Sequence, residues 1–430
     1  MSTLKVNKLR DTSGSTDAIV LDPSGGAVLA GVTTISTARI TTGITTSIQV
    51  GGGVTISESG IEASGIGITC ANINGGQISG RRNIIINGAM KVAQRGTSFT
   101  NISNTGVIGS VDRMVMVGAN LDEFAFAGKQ TSDGPDGFTK CFEVDVTTAE
   151  NALDANDLVY IRYKVEGQDL VPLFNADGTG KDFTISFYVK AYQAGTYQFN
   201  IYKNQGPRFI SKTYTVDASA TWQRVVIPFT GDTGTTGMND DNGNGFQMSW
   251  MLVAGTDYTS GSLQNWGGWP GNPGFGAGQA VNVASSADNY FRITGIQLEV
   301  GSQATSFEHR SFAEELALCQ RYFCKTYNAT IAPGTDGGSN VAAKQGGIFT
   351  YRQRDNNYTA FSFSHPVEMR SAPTLTTYSH NGTAGKFTNS TTNMSSNTNA
   401  PLNGTCTTMA YGTSTVADDS YCHFVCNAEL

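Results

Sequence analysis

Apolar and polar side chains alternate with a period of two through most of residues 83–310. In "FTISFYVKA", Phe183, Ile185, Phe187 and Val189 fall on one face, and Thr184, Ser186 and Lys190 on the other. That is the pattern of a half-buried strand. "TYQFNIY" repeats it with Tyr197, Phe199 and Ile201, and "WQRVVIPF" and "FQMSWMLV" follow. In "YFRITGIQLEV" the inward set is Phe291 and Ile293, then Ile296, Leu298 and Val300. The set slips by one residue at Gly295, which predicts a β-bulge there. Short strands divided by Gly, Asp and Asn turns predict an antiparallel β-sandwich over 83–310.

The period then changes. Ser311 and Glu314 form an S-x-x-E capping box, which satisfies free amides at a helix start. Phe312, Leu316, Cys319 and Phe323 share one helical face, with Leu318 and Tyr322 beside it. Glu314 and Glu315 sit at the positive helix end, and Arg321 and Lys325 near the negative end. A short connector helix is expected over 311–323. Residues 324–430 return to β patterns: "GGIFTYRQR", "YTAFSFSHPVEMRSAPTLTTYS" and "DDSYCHFVCNAEL". Phe361 and Phe363 alternate with serines, and Pro366 and Pro373 mark strand ends. This predicts a smaller C-terminal β-sandwich domain.

Ahead of the sandwich the pattern is sparse. Residues 1–30 hold two short apolar snatches in a polar leader, too little to bury a core alone, so the leader is expected to dock onto another protein. Residues 31–80 carry ten Ile and eleven Gly but only three charged residues, Arg39, Glu58 and Glu62. β-Branched residues suit strands and Gly suits tight corners, yet no long partner strand is at hand. A disordered linker is the alternative, but linkers carry few β-branched apolar residues. Three copies wound about one axis would bury the isoleucines. An intertwined trimeric β shaft over 31–82 is therefore expected, with Ile35, Ile44, Ile48, Ile56, Ile61, Ile66 and Ile73 as its candidate core.

Composition narrows the function. Charged residues are 15% of the chain and the net charge is −7, so there is no basic footprint for nucleic acid. The seven Cys are odd in number and scattered, unlike a disulfide framework. Cys422 and Cys426 flank His423, but no fourth ligand lies nearby, so no metal and no cofactor is expected. Asp240-x-Asn242-x-Asn244-Gly245 opens like a calcium loop, yet Met251 stands where a Glu is needed, and a surface turn is the expectation. His309 is read as junction packing and His365 as a strand end. No nucleophile elbow, zinc-protease or P-loop pattern is present. Carboxylates such as Asp145, Asp154 and Asp157 are too common in type to indicate glycoside hydrolysis. No catalytic residue is assigned.

"NIIINGAMKVAQRGTSF" (83–99), "VDRM" (111–114) and "QLEVGSQATSFEHRSFAEELALCQRYF" (297–323) resemble a recurring core of bacteriophage tail-fibre and related virion proteins. "HPVEMRSAPTLT" and the ending "NAEL" resemble the C-terminal domain that often follows, and "LKVNKLRDTSGS" is similar to starts of cyanophage structural proteins. Met114 stands where Trp is common, and Ser306 where Pro is common. The resemblance implies a non-enzymatic homotrimeric fibre on the outside of the virion, made in the host cytoplasm. It would be held to tail, baseplate or capsid proteins through residues 1–30. The sandwich also resembles carbohydrate-binding jelly rolls, which stack sugars on aromatic rings. In "LQNWGGWPGNPGFGAG", Trp266, Trp269 and Phe275 are the candidate residues for a host cell-surface glycan or outer-membrane component. A capsid or neck decoration fibre without receptor role is the alternative. A glycan-cleaving tailspike is the third reading, against which stands the absence of a β-helix repeat.

Overall fold

The computed structural model describes residues 8–10, 17–21, 27–29, 47–50, 54–57, 60–63, 80–100, 106–150, 152–336, 349–351, 359–379, 381–389, 393–395, 402–403, 405–412 and 420–430. The fold is mainly β, with a few short helices. Two compact units are present, Met1–Cys70 and Ala71–Leu430.

The first unit holds two antiparallel meanders. One is β1 (Lys8–Arg10), β2 (Asp17–Leu21) and β3 (Ala27–Leu29). The other is β4 (Ser47–Val50), β5 (Val54–Ser57) and β6 (Gly60–Ala63). Of the shaft candidates, Ile48 pairs with Ile56 and Ile56 with Ile61, one register row across three strands. Ile35, Ile44, Ile66 and Ile73 lie outside the described residues.

The second unit opens with a sandwich of two antiparallel sheets. Its strands are β7 (Ser98–Phe99), β8 (Val115–Ala119), β9 (Ala125–Thr131), β10 (Cys141–Thr148), β11 (Leu158–Glu166), β12 (Phe183–Ala191), β13 (Gly195–Lys203), β14 (Arg208–Val216), β15 (Gln223–Phe229), β16 (Asn244–Ala254) and β17 (Tyr290–Val300). One sheet runs β15-β12-β17-β10-β9-β7 and the other β14-β13-β16-β11-β8. The alternation in β12 and β13 does what it predicts. Phe183, Ile185, Phe187 and Val189 meet Tyr197, Phe199, Ile201 and Trp250 in one core, all of them essentially inaccessible. Each such side chain contributes about 1.5–3 kcal/mol by burial. Between β12 and β17 the register shifts so that Phe187 opposes both Gly295 and Ile296. Gly295 has φ +63°, the left-handed conformation that a bulge of this kind requires. Thr184 and Ser186 face away from the core as expected but are buried too, because the returning segment 301–310 covers them. Thr184 Oγ1 donates to the Gly301 carbonyl at 2.6 Å.

Among the described residues, four short α-helices interrupt the strands: α1 (Gly167–Leu170), α2 (Thr256–Thr259), α3 (Asn272–Phe275) and the connector α4 (Phe312–Gln320). Ser311 caps α4, its Oγ accepting the Glu314 amide at 3.3 Å. Cys319 and Tyr322 pack on Ile86 and Val92 as the helical stripe predicts. The stripe starts one turn later than expected, since Phe312 is 49% exposed. It also ends earlier: Phe323 already pairs with Asn427 as a strand residue, and the Ala428 amide donates to the Tyr322 carbonyl.

The C-terminal strands are β18 (Phe323–Lys325), β19 (Phe349–Tyr351), β20 (Thr359–Ser364), β21 (Thr374–Tyr378), β22 (Lys386–Asn389), β23 (Asn393–Ser395), β24 (Leu402–Asn403), β25 (Thr407–Gly412) and β26 (Ser420–Asn427). β26 is the hub, pairing with β18, β19, β21 and β22, while β20, β25 and β24 form a separate sheet. Cys324, Phe363, Met369, Cys422, Phe424, Cys426 and Ala428 form a small core.

A buried polar seam joins the sandwich, α4 and the chain end. Asn83 Oδ1 accepts the amides of Ile85 and Leu298, and its Nδ2 donates to the Ile296 carbonyl. Asn87 takes φ +60° and donates to the Val92 and Asp112 carbonyls, while its own amide donates to Glu315. Glu308 accepts the amides of Arg82 and Asn83, and Arg310 bonds the carbonyls of Asn83 and Ile85. Arg113, at φ +74°, pairs with Glu429 and lies 3.5 Å from the Tyr322 ring centroid. Non-glycine residues hold positive φ only where the surroundings over-determine them, as this network does.

Candidate functional site

The loop from Gly255 to Val281 lies on the outer face of the five-stranded sheet. That face is apolar as well as the inner one: Val115 and Val117 of β8, Tyr160 of β11, Phe209 of β14 and Met251 of β16 form a second cluster with Phe275. Strands buried on both faces read as nearly continuous apolar runs. "SWMLV" in β16 is such a run, and it is the sequence signal for a covered outer face. Two amides of β13 fix the covering loop. Gln198 Nε2 and Asn200 Nδ2 donate to the Phe275 carbonyl at 2.9 and 2.8 Å. The Phe275 ring then meets Tyr160 edge-on with centroids 5.2 Å apart, and it is 6% exposed. Phe275 therefore does not belong to an open aromatic platform, and this corrects the sequence expectation: the glycines around it leave room for the helix α3 to press the ring into the sheet.

The two tryptophans part company. Residues 264–267 run beside β14, where Phe209 and Gly267 exchange backbone hydrogen bonds at 2.7 and 3.0 Å. Trp266 turns toward the main core, 6.5 Å from Phe183 and 6.3 Å from Phe246 between centroids, and donates Nε1 to the Thr230 carbonyl at 2.8 Å. Trp269 stays outside and is 47% exposed. Its ring stands nearly perpendicular to Phe209 and Tyr202, at 5.3 and 5.9 Å, and tilts on Phe275 at 5.4 Å. Charges bolt this loop in place. Arg208 donates to the Trp266 carbonyl at 3.0 Å and pairs with Asp232 at 2.7 Å, and Asp232 also holds Lys203 at 3.0 Å. Lys203 and Asp232 are both buried, so removing either would leave its partner unpaired away from water. The outcome is one accessible indole ring on a fixed aromatic bed. Such a ring can take the apolar face of a sugar.

A cavity of about 510 Å³ lies elsewhere, at the seam, lined by Arg82, Asn83, Asp169, Arg310 and Arg321 among others. Three of its guanidinium groups, those of Arg81, Arg310 and Arg321, already hold carboxylates. Arg321 grips Glu166 with two bonds of 2.8 Å, Arg310 pairs with Glu315 at 3.1 Å, and Arg81 pairs with Glu314. The Asp169 carboxyl is pushed up by burial and then by the nearby Glu166. This is an ionic junction. The motif residues that carry the tail-fibre resemblance, Asn83, Asn87, Glu308, Arg310 and Glu315, all work here as structure.

The remaining candidates fall into place singly. The His309 ring packs against Phe138 and Phe307, and burial, then the Lys91 charge, lowers its pKa. Asp145 pairs with Lys129 at 3.1 Å, while Asp157 is buried and accepts from Asn120 and the Asp154 amide. Asp241 Oδ1 closes the turn before β16 by accepting the Gly243 amide at 2.9 Å. Cys422 and Cys426 share the inward face of β26, and His423 lies on the opposite one, stacked on Tyr327 at 3.9 Å.

No protein-family model matches the chain, and no curated protein matches it. Its neighbours among solved structures include carbohydrate-binding modules and a phage tailspike domain. The enzymatically active domain of tailspike protein 4 from bacteriophage CBA120 is 10% identical over 51% of this chain, with a TM-score of 0.27, and the match spans 21% of that protein's length. A putative sugar binding protein from Bacteroides thetaiotaomicron is 12% identical, covered in full by 51% of this chain, with a TM-score of 0.28. A xylan-binding domain from Paenibacillus barcinonensis is 7% identical, covered in full by 54% of this chain, with a TM-score of 0.26. At such scores none of them decides what this chain binds.

Proposed function

We propose that this protein is a non-enzymatic fibre of a bacteriophage particle that contacts a glycan on the host surface through the sandwich. The observation that carries the glycan contact is Trp269: an indole nearly half open to solvent, held by three other aromatic rings on a loop fastened by charges. Tryptophan is among the side chains enriched at the anchor positions of binding interfaces. The fibre role rests on the sequence runs at 83–99, 111–114 and 297–323. In this reading residues 1–30 fasten the chain to tail, baseplate or capsid proteins, and residues 31–82 join three copies through their isoleucines.

The test is binding of the purified full chain to host cells and to isolated envelope glycan, with Trp269→Ala beside it. Binding by the wild type and its loss in the variant is the expected result. Equal binding by both proteins moves the contact away from Trp269. No binding to host envelope, with labelled protein nevertheless located on the particle, makes it a decoration fibre. Sedimentation of the same sample checks the trimer, and a monomer mass removes the shaft.

A further inference from the structure

Three ligand atoms far apart in sequence meet in the C-terminal sheets. Cys324 on β18 and Cys426 on β26 are register partners, and their Sγ atoms and a ring nitrogen of His365 all lie within 4.8 Å of one another. Both cysteines are 0% exposed and His365 is 9% exposed. The thioether sulfur of Met369 stands 3.8 Å from Cys324 Sγ. His365 Nδ1 is 2.8 Å from the Thr405 carbonyl oxygen. A carbonyl only accepts, so Nδ1 carries the proton and the lone pair of the neutral ring sits on Nε2. Histidines that bind metals are oriented in this way, by donating their other nitrogen to a backbone carbonyl.

We propose that Cys324, Cys426 and His365 bind a divalent thiophilic metal ion of the zinc type, with Met369 nearest the fourth position. Charge selects the divalent ion. Two thiolates and a neutral imidazole cancel a charge of two, and a net charge in this apolar core would be costly. On binding, each thiol gives its proton to water, each sulfur donates a lone pair to the metal, and no electron is transferred. Tetrahedral zinc spaces its ligand atoms roughly 3.3–3.8 Å apart, so the cluster closes by about 1 Å of side-chain movement. The fold gives the ion a task. It would tie β18, the turn after β20 and β26 together around a core of few residues, where small cores need such a staple. Sequence spacing hid the site because Cys422 and His423 were its apparent members, whereas its other two ligands come from β18 and from the turn after β20.

The test uses the full chain, dialysed against zinc and, separately, reconstituted with cobalt(II). About one metal per chain is expected, and the cobalt form should show thiolate charge-transfer absorption and tetrahedral d–d bands. Cys324→Ser and His365→Gln should each weaken metal binding roughly tenfold or more. Cys422→Ser, buried in the same core but outside the cluster, should keep the metal. His365→Gln, at the less buried ligand, carries the test if Cys324→Ser does not fold by circular dichroism. Absence of metal and of the cobalt spectrum in the wild type overturns the proposal. So does equal loss in Cys422→Ser, or an intact mass short by two hydrogens that maps to a Cys324–Cys426 disulfide in the zinc-treated protein. None of these outcomes depends on the glycan contact at Trp269.

Discussion

The polar seam and the Trp269 loop solve opposite problems. At the seam, Asn83, Asn87, Arg113, Glu308, Arg310, Glu315 and Glu429 are brought together away from water, and each one's partners fix its identity. In the loop, one ring rests on other rings and needs only to be reachable. Buried polar atoms demand specific donors and acceptors, so they write dense motifs. An exposed contact ring writes almost none. The motif-rich part of this chain works as scaffold at the seam, and the candidate contact lies in a loop whose sequence marks only its location.

Breaking the seam should have the largest effect. Glu429→Ala leaves Arg113 and Arg95 without their shared carboxylate, and Arg113 is 3% exposed. A cost of about 3–5 kcal/mol is expected by denaturant titration. A change near zero would mean that the chain end is not needed to hold the seam. A pair of glycine substitutions compares the regions directly. A Cβ on Gly88 would stand 2.2 Å from the Ile296 carbonyl oxygen, whereas one on Gly268 meets nothing within 4 Å. Gly88→Ala should cost about 3 kcal/mol and Gly268→Ala no more than about 0.5 kcal/mol. Similar values for both would erase the distinction between a packed seam and an open loop.

Acid should act on a third place. Burial lowers the His423 pKa to about 4 from the ordinary 6.5. The unfolded chain then binds more protons between these values, so stability should fall as pH drops from about 6.5 toward 4 and change little further from this group below that. The loss is on the order of 2 kcal/mol, and His423→Gln should flatten that part of the pH–stability curve. The smallest change in stability belongs to Trp269→Ala, under about 1 kcal/mol, since the ring is half exposed already. Its glycan binding should nevertheless fall by roughly tenfold or more, as for an interface anchor. Trp266→Ala reverses the pattern, costing about 3 kcal/mol because its ring packs against the main core.

Much of the sandwich was legible because it rests on local rules. Period-two alternation in β12 and β13, the bulge at Gly295 and the cap at Ser311 follow from backbone geometry and nearest neighbours in sequence. The aromatic loop was legible as a location but not in its division of labour. Nothing local to "NWGGWPGNPGF" says that Trp266 turns inward, that the Phe275 ring is pressed from α3 into the sheet, or that Trp269 stays the more exposed of the two indoles.

By itself, then, the sequence determined the strand periods, the bulge and the helix start, since each depends on residues a few positions apart. Only the tertiary structure decided which polar residues pair across the seam, which ring of the loop faces solvent, and that Cys324, His365 and Cys426 meet. Those are long-range choices. They are set by which strands lie side by side and which faces are covered, and spacing along the chain carries no record of either.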